Sequence, residues 1–138
     1  MYLRFVSPLR SQWTNCRKAG VHNGILQAAF ECRNKGRLDP HLHAALVEEI
    51  EWFKYWLYEP DEDCFHFRYK RSHHYESICW FKDSASDMLA HGWTLAGLLY
   101  QGGYPICLRK SRNPGDIVYE DDHQIVAYPK RMRDVAFC

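Results

Sequence analysis

The last third of this chain sets out an order of elements that few folds accommodate. A stretch with helical periodicity runs from residue 84 to 100 and stops at Gly102-Gly103. A short strand pattern follows over 104–108. Then come a turn at Asn113-Pro114-Gly115, a strand Ile117-Val118-Tyr119, an acidic turn Glu120-Asp121-Asp122 and a closing strand over 124–128. Helix first, then strands joined by short turns, predicts α+β with a mostly antiparallel sheet, since tight turns return a chain beside itself.

The first half supplies one more strand and two more helices. Residues 2–6 read as a strand stopped by Pro8, with Arg4 on the opposite face from Leu3 and Phe5. Residues 7–21 read as a loop carrying Trp13 and the basic pair Arg17-Lys18. Ile25, Ala28, Ala29 and Cys32 form one apolar stripe of a helix over about 22–35, and Gly36 offers a left-handed exit. Asp39-Pro40 pairs an N-cap with proline at the first helical position. Leu42, Leu46, Ile50, Phe53 and Leu57 then make a core stripe that Pro60 brings to an end. Trp52 and Trp56, four apart, lie beside that stripe on the same helix.

Between the second and third helices the pattern changes period. Phe65, Phe67 and Tyr69 alternate with His66, Arg68 and Lys70, giving an extended segment with an aromatic side and a basic side. Arg71, His73 and His74 continue the basic character. The run Ile78-Cys79-Trp80-Phe81 is too short to assign by periodicity. Ser84 with Asp87 three positions on is a capping-box pattern for the third helix, whose stripe is Ala85, Leu89, Gly92, Ala96 and Leu99. The small residues at 85, 92 and 96 predict another element packed close. Pro105 confines its strand to a sheet edge or a strand start. The expected fold is one domain over 1–138: a small sheet, with the N-terminal strand beside the C-terminal hairpin, covered on one face by three helices.

Totals narrow the partners. With 138 residues the chain can bury a core without staples. A formal net charge of +1 gives no global field to draw it onto nucleic acid or membrane, so an electrostatic partner must be read by a local patch. Six cysteines are widely spaced and no charged-then-apolar leader opens the chain, which predicts free thiols and a cytoplasmic protein. Nothing approaches a membrane span of about 20 apolar residues, and a cysteine in last place is not a prenylation box.

Several chemistries find little support. There is no G-x-S-x-G, no phosphate-binding P-loop and no G-x-G-x-x-G. Cys64, His66, His73, His74 and Cys79 gather soft ligands, yet no CxxC or HxxxH pair occurs and adjacent histidines diverge, so neither metal nor cofactor is expected. Glu120-Asp121-Asp122 reads as a hairpin turn before it reads as an acid/base cluster. The following strand lacks the lysine that an acidic-strand nuclease would place there. Lys82-Asp83 ahead of a helix fits cap chemistry better than a lysine nucleophile. No residue set argues for a catalytic role.

Two segments resemble a family of short, uncharacterised bacterial proteins: Trp80-Phe81-Lys82-x-x-Ala85, and the run from Pro114-Gly115 through Ile117-Val118-Tyr119-Glu120-Asp121 to Gln124-Ile125-Val126-Ala127. Tyr2-x-Arg4-Phe5-Val6 and Gln27-Ala28-Ala29 are similar as well. The resemblance implies a bacterial, cytoplasmic, single-domain protein and carries no activity. Two function classes follow from the residues themselves. One is binding of a phosphate-bearing ligand, a nucleotide or nucleic acid, through Arg68, Lys70, Arg71, His73 and His74, joined by Arg4 and Lys82. The other is a protein-interaction module or homodimer that uses Trp52 and Trp56.

Overall fold

The computed structural model describes residues 1–8, 23–60 and 77–129. Among these described residues nine elements follow in the order β1 (Tyr2–Ser7), β2 (Asn23–Gly24), α1 (Ile25–Asn34), α2 (Pro40–Trp56), β3 (Ile78–Lys82), α3 (Ser86–Gln101), β4 (Cys107–Ser111), β5 (Asp116–Glu120) and β6 (Gln124–Tyr128). The six strands form one sheet in the order β2-β1-β3-β6-β5, with β4 pairing β1 as well. Every pairing is antiparallel. The class is α+β, as expected, and the sheet has more strands than the sequence reading gave it.

β1 organises the sheet. One of its edges is taken by β4 along its length, from Tyr2 opposite Ser111 to Val6 opposite Cys107. The other edge is divided. β3 takes Tyr2 and Leu3, and β2 takes Val6 and Ser7. The C-terminal hairpin joins through β3, where Trp80 stands opposite Ile125. The N-terminal strand and the hairpin therefore do share one sheet.

Alternation along the strands sorts residues onto two faces. Phe5 and Phe81 point to the helices and enter one core with Ala28, Ala29, Cys32, Leu46, Ile50, Phe53, Met88, Leu95 and Leu99. Trp80, Ile78, Ile125 and Ala127 point the other way into a second, smaller cluster with Tyr2 and Ile117 at its margin. Full burial of each large apolar side chain contributes about 1.5–3 kcal/mol against the entropy of ordering the chain.

The helices begin and end for local reasons. In α2 the Asp39 carboxylate accepts the Leu42 N–H at 3.0 Å, and Pro40 occupies the first turn. The helix closes at Trp56, ahead of Pro60. α1 leaves through Gly36 at φ 59°. The Ser84 cap is a correction: α3 starts at Ser86, and Ala85 in the cap position makes no side-chain bond. The chain leaves β3 through a tight turn in which Ala85 N–H donates to the Lys82 carbonyl at 3.0 Å, so Ser84 falls one residue too early. The expected α3 stripe holds at Ala85, Gly92 and Leu99, but Met88 and Leu95 are buried while Leu89 and Ala96 lie at the margin. Residues 104–108 were expected to form a strand, and β4 instead starts at Cys107, beyond Pro105. Residues 9–21 of the expected loop and the segment 64–70 lie outside the described residues.

The thiols differ from the expectation. Cys32 and Cys79 are free, whereas Cys107 is disulfide-bonded, with its partner outside the described residues. Wide spacing in sequence is no bar to a bridge once folding brings distant residues together. Among the described residues no helix is long and apolar enough to cross a membrane.

Candidate functional site

The second face of the sheet gathers cations that the sequence scatters. Arg4 of β1 stands directly opposite Arg109 of β4. Directly opposed residues in an antiparallel pair project to the same face, with Cβ atoms about 4.5–5.5 Å apart. Lys82 is opposite Tyr2 on the neighbouring strand, so it shares that face two positions away from Arg4. All three side chains are half-buried. The floor beside them is apolar, made of Trp80, Ile125 and Tyr2.

The two expected members of the ligand set that are described thus lie on adjacent strands, but their heads part. Lys82 Nζ reaches Glu120 Oε2 at 2.6 Å, and this hydrogen bond raises the lysine above its ordinary value. Arg4 reaches the other way, with Nη2 3.7 Å from where a Cβ on Gly24 would stand. It also has a partner within the chain. Arg68, Lys70, Arg71, His73 and His74 lie outside the described residues. The sequence reading missed Arg109 because it ended the strand at Leu108. Extending alternation through Leu108-Arg109-Lys110 would have put Arg109 on the face opposite Leu108, but only the strand pairing sets it against Arg4.

Arg109 carries a further mark. Its Nε is buried with no hydrogen-bond partner among the described residues. A buried donor without a partner costs free energy, and an acceptor on a bound anion would remove that cost.

The hairpin acids have a different role. Asp121 accepts from His123 N–H at 2.8 Å, Gln124 N–H at 3.0 Å, Gln124 Nε2 at 3.0 Å and the Tyr119 hydroxyl at 3.0 Å. Burial opposes its ionisation, yet these donors outweigh burial and hold the carboxyl below its ordinary value. Gln124 also donates to the Tyr58 carbonyl at 2.6 Å and accepts from Cys79 Sγ at 2.9 Å. The carboxylate of Asp121 is thus spent on the turn, in line with the hairpin reading.

Cys79 is pushed up to about 12, chiefly by crowding of protein around the sulfur, with the Arg4 charge offsetting part of it. The residue is exposed, and its thiol donates to the Gln124 amide oxygen, which keeps the proton on sulfur. Cys32 is raised by burial. Neither free thiol is a ready nucleophile.

On the helices, His91 Nδ1 meets Glu49 Oε2 at 2.7 Å, and Trp52 stacks on the imidazole with ring centroids 3.5 Å apart. Trp52 is therefore packed between α2 and α3. Trp56 is 55% exposed beside Tyr55 and Tyr58, so the two tryptophans of the expected interface separate into one packed and one open residue. Among the described residues no group of three histidine, cysteine or acidic side chains could hold a metal ion. Cys64, His66, His73 and His74 are outside that set.

Comparison with protein-family models, curated proteins and solved structures finds no match to the chain.

Proposed function

We propose that the protein binds a phosphate-bearing ligand, a nucleotide or nucleic acid, through the basic second face of its sheet together with the segment 66–74. The observation that carries this reading is the direct opposition of Arg4 and Arg109, with Lys82 on the same face, in a chain whose net charge is only +1. Charge-assisted donors on a rigid sheet are held in place, which favours recognition of a fixed anionic group. Arg68, Lys70, Arg71, His73 and His74 extend the donor set by alternation in sequence, with the interleaved aromatics available to stack bases. A cytoplasmic location belongs to this reading, and the bridged Cys107 is the observation that weighs against it.

Titration with nucleotides and short single- and double-stranded oligonucleotides at low salt tests the proposal. Binding should weaken steeply as salt rises, and Arg68→Ala with Lys70→Ala should abolish it while the melting curve stays in place. No binding by the wild type at low salt would overturn the reading.

A second reading has its own observation. Tyr55, Trp56 and Tyr58 form an exposed aromatic end to α2, and surplus aromatics are enriched at interfaces. Self-association through this end would be insensitive to salt, which separates it from phosphate binding.

A further inference from the structure

We infer that Arg4 and Arg109 together seat a single oxyanion group, with Arg109 as the specificity-determining residue. This rests on the phosphate-binding reading above and adds the position at which one phosphate is held. Two observations converge. The two residues are register partners on β1 and β4, so their side chains leave the same face side by side. Arg109 Nε is buried and has no hydrogen-bond partner among the described residues.

A guanidinium offers five N–H donors in a planar fork that matches the oxygens of a phosphate. Two forks rooted on adjacent strands can hold one tetrahedral oxyanion from two sides. Arg4 already has a partner within the chain. The seat does not require it to be free, because five donors allow a second acceptor. Lys82 stays outside the seat, since it is engaged by Glu120 at 2.6 Å.

The test compares wild type, Arg109→Met and Arg109→Lys by calorimetric titration with inorganic phosphate, a nucleoside monophosphate and a short oligothymidylate, each at low salt. Arg109→Met keeps much of the aliphatic stem and removes the fork. It should bind roughly ten- to a hundredfold more weakly than wild type, the loss expected for charge-assisted hydrogen bonds, while melting no lower than wild type without ligand, because the unpaired Nε is removed with the fork. Arg109→Lys keeps the charge and loses the bidentate geometry, so it should fall between the two. Loss on all three probes assigns the seat to any phosphate group, and loss on the oligothymidylate alone assigns it to the phosphates of a strand. Wild-type binding that Arg109→Met retains in full overturns the seat and leaves the phosphate reading standing. Absence of binding by the wild type overturns both. If Arg109→Met does not fold, Arg109→Lys carries the test, and an unchanged affinity for every probe overturns the seat.

Discussion

Gly92 of α3 lies against the ring of Phe5 on β1 so closely that a Cβ at Gly92 would stand 2.5 Å from Phe5 Cε2. That contact sets the distance between the third helix and the central strand. Gly92→Ala should therefore destabilise the protein by about 1–3 kcal/mol, the range for overpacking a filled core. The penalty should shrink in a Phe5→Leu background, because the two positions share one space. Chemical denaturation of the four proteins of this cycle measures it. Additive losses would show that Phe5 is not what the new methyl meets.

Gly115 has φ 127°, and a Cβ there would come within 2.8 Å of Pro129 Cα. Both the conformation and the space exclude a β-branched residue. Gly115→Val should cost roughly 1–3 kcal/mol, read as a lower melting temperature. Coincident melts would mean that the turn before β5 relaxes freely.

Asp121 holds the β5–β6 hairpin through its four accepted hydrogen bonds. Its carboxyl is depressed in the folded state, so the stability it contributes is present above the ordinary value of 3.8 and is lost as pH falls through the folded value. Asp121→Asn should cost about 1–2 kcal/mol near neutrality, at the low end because the group is partly solvated. The gap between variant and wild type should close as pH drops below about 4. A gap that persists unchanged into acid would show that ionisation of Asp121 is not the source.

Trp52 and Trp56 should behave differently when replaced by serine. Trp52 stacks on His91 and packs against the main core, so its loss should lower stability by about 1–3 kcal/mol. Trp56 is exposed, and Trp56→Ser should change stability by no more than about 0.5 kcal/mol. Sedimentation of Trp56→Ser reads the second function directly. A change in oligomeric state would support the aromatic interface, and an unchanged state would remove Trp56 from it.

Cys107 is bridged, so freshly purified, unreduced protein should gain a pair of hydrogens in intact mass on reduction. Cys107→Ser should cost about 2–4 kcal/mol in the unreduced protein and nothing after reduction. Identical masses with and without reductant would show that the bridge does not form in the isolated protein.

What the sequence determined by itself is the part governed by neighbours along the chain. The Asp39-Pro40 start of α2, the Gly36 exit from α1, the glycine turn at 115 and the β5–β6 hairpin each depend on contacts within a few residues, so local propensity and period suffice to place them. The α+β class followed from their order. The tertiary structure decided everything that depends on which strands become neighbours. Pairing of β1 with both β3 and β4 puts Arg109 beside Arg4 across more than a hundred residues of chain. Packing of α3 against the rest of the core buries Met88 and Leu95 beside Gly92 and leaves Leu89 and Ala96 at the margin. The turn out of β3 moves the start of α3 past Ser84. Cap and stripe patterns describe what a segment can do alone. A sheet's register, and the charges it brings together, are set by the burial of both its faces at once, which no single segment encodes.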